Sequence, residues 1–133
     1  KLAEMAQFYQ EKGIQFIAIS VNDIDTHPDD APDKMKIFGQ LHQFSFPYCF
    51  DASQQTAMDY SAECTPDFYV FDEEHMCVYR GRFDGTTPDQ GNVATGEELQ
   101  AAIEALLDGG AIVENQMPSI GCSIKWLQPR EGR

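Results

Sequence analysis

At 133 residues, 42% of them hydrophobic, the chain has the length of one domain and enough apolar material for a core of its own. Its formal charge of −13 argues against a nucleic-acid surface, which needs clustered Lys and Arg to displace counterions, and reads as a solvated acidic exterior. No run approaches the roughly 20 apolar residues of a membrane span, and the four widely spaced cysteines fit neither a zinc site nor a dense disulfide framework.

Leu2, Met5, Phe8 and Tyr9 recur at helical spacing before Gly13, so the chain opens on an amphipathic helix. Ile14 to Val21 is nearly continuously apolar and β-branched, the pattern of a strand covered on both faces in a parallel sheet. After the turn at His27-Pro28-Asp29-Asp30, Pro32 opens a helix carrying Met35, Ile37, Phe38 and Leu41, which should stop before Pro47. Phe46 to Asp51 reads as a short strand, and Ser53 to Ala62 as a short helix expected to bury Ala57, Met58 and Tyr60. Phe68 to Asp72 and Cys77 to Arg82 are expected to form an antiparallel hairpin across Glu73-Glu74-His75-Met76. Beyond a loop rich in Gly, Pro, Asp and Asn, Thr95 and Glu98 make a capping-box pattern ahead of Leu99, Ala102, Ile103 and Leu106, and Gly109-Gly110 ends that helix. The expected organisation is a domain over residues 1–110 with a tail, 111–133, packing on it.

Cys64-Thr65-Pro66-Asp67-Phe68 is the stretch with the strongest chemical signal. A cysteine stands two residues before a proline that leads into an apolar strand, and X-Pro bonds are the ones that become cis at modest cost. The element order, with Thr-Pro heading the hairpin, resembles the thioredoxin fold, an α/β architecture of a mixed sheet flanked by helices. Phe16-Ile17-Ala18-Ile19-Ser20-Val21-Asn22-Asp23, Cys64-Thr65-Pro66-Asp67-Phe68, Val78-Tyr79-Arg80-Gly81 and Pro118-Ser119-Ile120-Gly121-Cys122-Ser123-Ile124-Lys125-Trp126 make the resemblance more specific. They are similar to the peroxiredoxin-like branch of the thioredoxin superfamily, related to alkyl hydroperoxide reductase and thiol-specific antioxidant proteins.

That resemblance implies a central strand and a cysteine-bearing turn before the first helix. Neither is among these residues, so the chain reads as N-terminally truncated, lacking the expected nucleophilic cysteine. The strands at Phe16 to Val21 and Phe68 to Asp72 would then expose apolar edges, and the 133 residues alone are not expected to be a stable monomer. The implied function is a thiol-dependent oxidoreductase that, when intact, reduces peroxides or protein disulfides with a thioredoxin-type thiol reductant and no metal or organic cofactor. The alternative is a redox-inactive thioredoxin-fold module binding a polypeptide through the Pro66 face. Cysteines upstream of Lys1 would favour the enzyme, and their absence the binding module.

Within this sequence, Pro66 matches the position of the fold's cis-proline, and Thr65 offers backbone and hydroxyl hydrogen bonds beside it. Cys64 and Cys122 are candidate secondary redox thiols, with Lys125 near Cys122 in sequence to favour a thiolate; packing of Ile120, Ile124 and Trp126 as a tail clasp accounts for the same motif without chemistry. Arg80 and Arg82, spaced to share one side of a strand, are candidates for binding an anionic substrate or for surface salt bridges. Cys49 and Cys77 read as small core or edge residues. His27, His42 and His75 have no catalytic or metal-ligand spacing, and Asp23, Asp25, Asp29 and Asp30 lack the glycine and glutamate of an EF-hand loop. No signal-peptide pattern opens the chain and no glycosylation sequon appears, but with an N-terminal segment expected to be missing the compartment stays unknown, a cytoplasmic location being favoured.

Overall fold

The computed structural model describes residues 1–86, 94–109 and 116–127. They group into two units, one formed by Leu2–Ala62 with the segment from Ile124 onward, the other by Lys1 with Glu63–Ser123. Expectations for residues 87–93, 110–115 and 128–133, including Gly110 and both ends of the expected tail, lie outside the described residues.

In the first unit, helix α1 (Leu2–Gln10) buries Met5, Ala6 and Tyr9, and Gly13, at φ +90°, sits in the turn that ends it. Phe8, expected on the buried face, is exposed, with the Lys12 ammonium over its ring. Strand β1 (Ala18–Ser20) runs parallel to β2 (Tyr48–Phe50), with Ala18 opposite Tyr48, Ile19 opposite Cys49 and Ser20 opposite Phe50. The parallel pairing agrees with the sequence, but burial on both faces does not. Ile17 and Ile19 are 66% and 45% exposed, because residues at alternate positions share a face and this one, carrying Cys49 as well, is open.

A short 3-10 turn (Pro28–Asp30) leads to α2 (Pro32–Leu41), where Pro32 supplies a preset φ at the start. Only Met35 of its apolar residues is buried; Ile37, Phe38 and Leu41 face outward. Phe38 nevertheless meets Phe44 edge-on at 5.7 Å, and beyond the helix Phe44 stacks on Phe46 at 4.7 Å and meets Tyr48 edge-on at 5.3 Å. Helix α3 (Gln55–Asp59) contributes Ala57 to a small core with Val21 and Ile124, against which Ala62 packs.

Gln54 holds that core in place. Almost fully buried, its side chain donates to Val21 O at 2.7 Å and Lys125 O at 3.0 Å and accepts from Leu127 N–H at 3.0 Å. Asp23 N–H also reaches Lys125 O, and Asn22 Oδ1 accepts from Lys125 N–H. Residues 124–127 are therefore fixed by part-buried polar bonds whose loss would leave partly desolvated groups unpaired. The expected tail clasp is only partly hydrophobic: Ile124 is buried, while Ile120 and Trp126 are 44% and 42% exposed.

The second unit contains β3 (Cys64–Thr65), β4 (Phe68–Phe71), β5 (Cys77–Gly81), α4 (Glu97–Leu107) and β6 (Cys122–Ser123). β4 and β5 form the expected antiparallel hairpin, Phe68 opposite Gly81 and Val70 opposite Tyr79, with a register shift after Val70. Asp72 Oδ1 fixes its turn by accepting from Glu74 and Met76 N–H. Helix α4 buries Leu99, Ala102 and Ile103, as its periodicity predicts.

Its start differs from the capping-box pattern. Asp84, nearly fully buried, accepts from Thr95 and Gly96 N–H at 2.7 Å and from the N–H and hydroxyl of Thr86, while Glu98 turns to Arg82. A capping glutamate bonds back to the backbone N–H at the helix start; here Asp84 already occupies those donors, so Glu98 is released to pair with a cation.

Candidate functional site

The site grows from a two-residue ladder. β3 and β6 pair antiparallel, Cys64 opposite Ser123 and Thr65 opposite Cys122, so residues far apart in sequence bring both candidate thiols to one ribbon. Directly opposite residues share a face and successive residues alternate, which puts Cys64 and Cys122 on opposite faces. A direct bond between them would need Cβ atoms about 3.5–4.5 Å apart and pointing together. The ribbon therefore disfavours a Cys64–Cys122 disulfide and offers each thiol to a different side. Both are free thiols, Cys64 half-buried and Cys122 exposed.

The Thr65–Pro66 peptide that follows is cis, and Pro66 is exposed. Gly121 lies against this peptide: a Cβ built on it would stand 2.0 Å from Thr65 O and 2.7 Å from Thr65 C. Only glycine allows the backbones to come so close. Upstream in the same strap, Met117 O blocks the space of a side chain at Gly81, and Gln116 accepts from Arg80 N–H while donating to Val78 O. Residues 116–123 are thus bound along the hairpin edge and under the Thr-Pro loop.

Asp67, directly after Pro66, joins loop, hairpin and strap. Its carboxylate accepts from Ser119 Oγ at 2.6 Å and Tyr69 OH at 2.8 Å and lies 3.7 Å from the Arg80 guanidinium, with its side chain 8% exposed. Burial, then the hydrogen bond to Asp67 and that carboxylate's charge, push the Tyr69 hydroxyl up to about 12, with Arg80 opposing. Asp67, Tyr69 and Ser119 were not singled out from sequence. An Asp two positions before a Tyr at a strand entrance was the available local signal, whereas Ser119 is 52 residues away and only the fold reveals it.

A cleft of about 400 Å³ opens beside this cluster, lined among others by Glu63, Cys64, Asp67, Arg80 and Ser119. A second groove, of about 410 Å³ between α2 and β2, is lined by aromatic rings such as Phe44 and Tyr48.

Of the sequence-predicted residues, the structure brings Cys64, Thr65, Pro66 and Cys122 together and adds Arg80 through Asp67. Arg82 does not join them. It lies past the end of β5, so strand alternation no longer ties it to Arg80, and its guanidinium contacts Glu98 Oε1 at 2.6 Å, which raises its pKa through that hydrogen bond. Cys49 and Cys77 are exposed on β2 and β5. His42 packs against Phe38 at 4.2 Å with the rings tilted, His27 contacts the Thr26 hydroxyl, and His75 sits in the hairpin turn. Among the described residues no helix is long and apolar enough to cross a membrane.

The model of the AhpC/TSA family matches residues 1–80. Among solved structures, an uncharacterised conserved protein from Geobacillus kaustophilus is 46% identical, with a TM-score of 0.91 over 97% of this chain and 68% of its own. A hypothetical protein from Sinorhizobium meliloti 1021 is 40% identical, with a TM-score of 0.92 over 96% of this chain and 70% of its own. None of the curated proteins matches.

Proposed function

Because the chain belongs to the AhpC/TSA family, and with it to the peroxiredoxin-like part of the thioredoxin superfamily, we propose that it is a thiol-dependent oxidoreductase reducing peroxides or protein disulfides. The observation that supports this most is the β3–β6 ribbon, which gathers two free cysteines and the Thr65–Pro66 loop, with Cys64 lining a cleft.

In a peroxide reaction a thiolate attacks one oxygen of the O–O bond, becoming a sulfenic acid while the other oxygen leaves as alcohol or water. A second thiol attacks that sulfur, water leaves and a disulfide forms, which an external thiol reductant then reduces by exchange. The resemblance assigns the attacking thiol to a turn ahead of the first helix. Cys64 and Cys122 fit the second role, each serving a third thiol rather than the other, since they face opposite sides of their ribbon. Thr65 and Pro66 form the wall against which that thiol and its substrate lie, and the strap residues Gly121 and Ser119 keep the wall in place.

The test is steady-state turnover of hydrogen peroxide and of a protein disulfide by the protein expressed from its complete gene, coupled to a thioredoxin-type reductant. Activity with at least one substrate, lowered by Cys64→Ser or Cys122→Ser, is expected. Absence of turnover with both would favour the redox-inactive binding module instead.

A further inference from the structure

One face of α2 builds a wall of the groove between that helix and β2. Met35, Lys36, Gly39 and Gln40 follow at the three- and four-residue steps that align side chains, with Gln43 just past the helix end. Across the groove stand the rings of Phe44, Phe46 and Tyr48. Met35 and Phe46 are buried, whereas Lys36, Gln40 and Gln43 are exposed, so an apolar interior is rimmed by polar groups. Gly39 is a costly choice for this wall, because alanine is favoured inside a helix. A Cβ there would meet Tyr48 Cδ2 at 3.5 Å and Phe44 Cδ2 at 3.7 Å, both ordinary contacts. Packing therefore does not demand glycine, and its missing methyl leaves the space before those two rings open.

The polar groups at the rim are uncommitted. Among the described residues Lys36 has no ion-pair partner, and the side chains of Gln40, Gln43 and Tyr48 make no hydrogen bond. All four can donate. The chain carries 22 Asp and Glu, yet none is among the described residues lining this groove, whose one formal charge is the Lys36 ammonium. Asp30 acts on the Tyr48 hydroxyl from nearby, but its carboxylate accepts from Asn22 Nδ2 at 3.1 Å. The acidic exterior elsewhere is screened within about 8 Å at physiological salt.

We propose that this groove binds a small aromatic carboxylate, its ring among Phe44, Phe46 and Tyr48 and its carboxylate at Lys36. Ring faces and edges at 4.7–5.3 Å spacing favour an aromatic guest over an alkyl chain. A cationic ligand would meet Lys36, and a neutral one would leave that ammonium without a partner. The volume of about 410 Å³ lies in the lower part of the roughly 300–1,000 Å³ range of small-ligand sites, where an apolar pocket with a few convergent polar groups is the usual form. The inference goes beyond the thiol chemistry proposed above and stands or falls without it.

Isothermal titration calorimetry on the protein expressed from its complete gene compares 2-naphthoate with its neutral amide and with decanoate, while methyl-labelled methionine reports the place of binding. Saturable binding of 2-naphthoate, tighter than either comparison probe, is expected, with the ring-current shift at Met35 rather than at the exposed Met58 and Met76. Lys36→Gln should raise the dissociation constant of 2-naphthoate about two- to fivefold, the weight of one exposed ion pair, and leave that of the amide unchanged. Gly39→Ala, by filling the space before the rings, should weaken both aromatic probes about tenfold or more while the melting temperature holds or rises, so that unfolding cannot explain the loss. Leu41→Gln, at a residue 75% exposed and outside the groove, controls for adhesion to apolar surface and should change nothing. No saturable binding of 2-naphthoate, equal binding of the amide or decanoate, or shifts at Met58 or Met76 in place of Met35 would overturn the proposal. So would a Gly39→Ala protein that keeps its affinity, or an equal effect of Lys36→Gln on the charged and neutral probes.

Discussion

Gly121→Ala places the tightest demand on the site. The new methyl carbon would start 2.0 Å from Thr65 O, whereas ordinary contact begins near 3.4 Å, so about 1.4 Å must be found by moving backbone against backbone. No flexible side chain can absorb it, because the three nearest atoms all belong to the main chain of Thr65 and Pro66. Overpacking of this kind costs about 1–3 kcal/mol, and losing a hydrogen bond of the two-residue β3–β6 ladder adds about 0.5–1.5 kcal/mol. A total near 2–4 kcal/mol should lower the melting temperature by roughly 5–15 °C. Differential scanning calorimetry reads the loss, and the rate at which a thiol reagent labels Cys64 reads the displacement of β3. Gly85→Ala is the control: its nearest neighbours, at 3.4 Å and beyond, are the end of the Arg82 side chain, so a change within about 0.5 kcal/mol is expected. A Gly121→Ala protein with unchanged melting and unchanged Cys64 labelling would refute the close approach of strap and loop.

Three further outcomes follow from the geometry. Burial raises the Asp84 carboxyl, but the Thr86 hydroxyl and the Gly96, Thr86 and Thr95 N–H groups together hold it down to about 2; its stabilisation is therefore complete above the unfolded value near 3.9 and lost as pH falls toward 2. Asp84→Asn should remove about 2 kcal/mol at pH 7 and flatten denaturant stability between pH 4 and 2, whereas an unaltered pH slope would refute this assignment. Gln54→Leu, which strips partners from Val21 O and Leu127 N–H, should cost about 2–3 kcal/mol and red-shift emission from Trp126, the lone tryptophan, and an unshifted spectrum with full stability would contradict the anchoring role. The 133-residue polypeptide produced alone should self-associate through exposed apolar groups such as Ile17, Ile19 and Leu41; a sharp two-state melt from a monomeric sample would show otherwise.

Much of this molecule is legible in its sequence where one local rule decides. The β4–β5 hairpin follows from two apolar runs around Glu73-Glu74-His75-Met76, and α4 from the spacing of Leu99, Ala102 and Ile103. The resemblance brought in Cys64-Thr65-Pro66 and the Cys122 tail, and the ladder shows how they meet. What stayed hidden depends on long-range partners. Asp84 and Gln54 look like ordinary loop polars until the chain returns to them, and Glu98 fits a capping pattern until a better-placed acceptor and a nearby Arg82 claim the two partners. Burial was overestimated for Phe8, Ile19, Ile37 and Leu41, because periodicity identifies an apolar face but not what covers it.

The central claim is that the Cys64–Cys122 ribbon takes part in thiol exchange. Its most direct test is non-reducing peptide mapping of the protein expressed from its complete gene, quenched with acid during turnover of peroxide or protein disulfide. The account predicts a disulfide from Cys64 or Cys122 to a third thiol, and no bond joining the two. Both cysteines remaining reduced throughout turnover would contradict it.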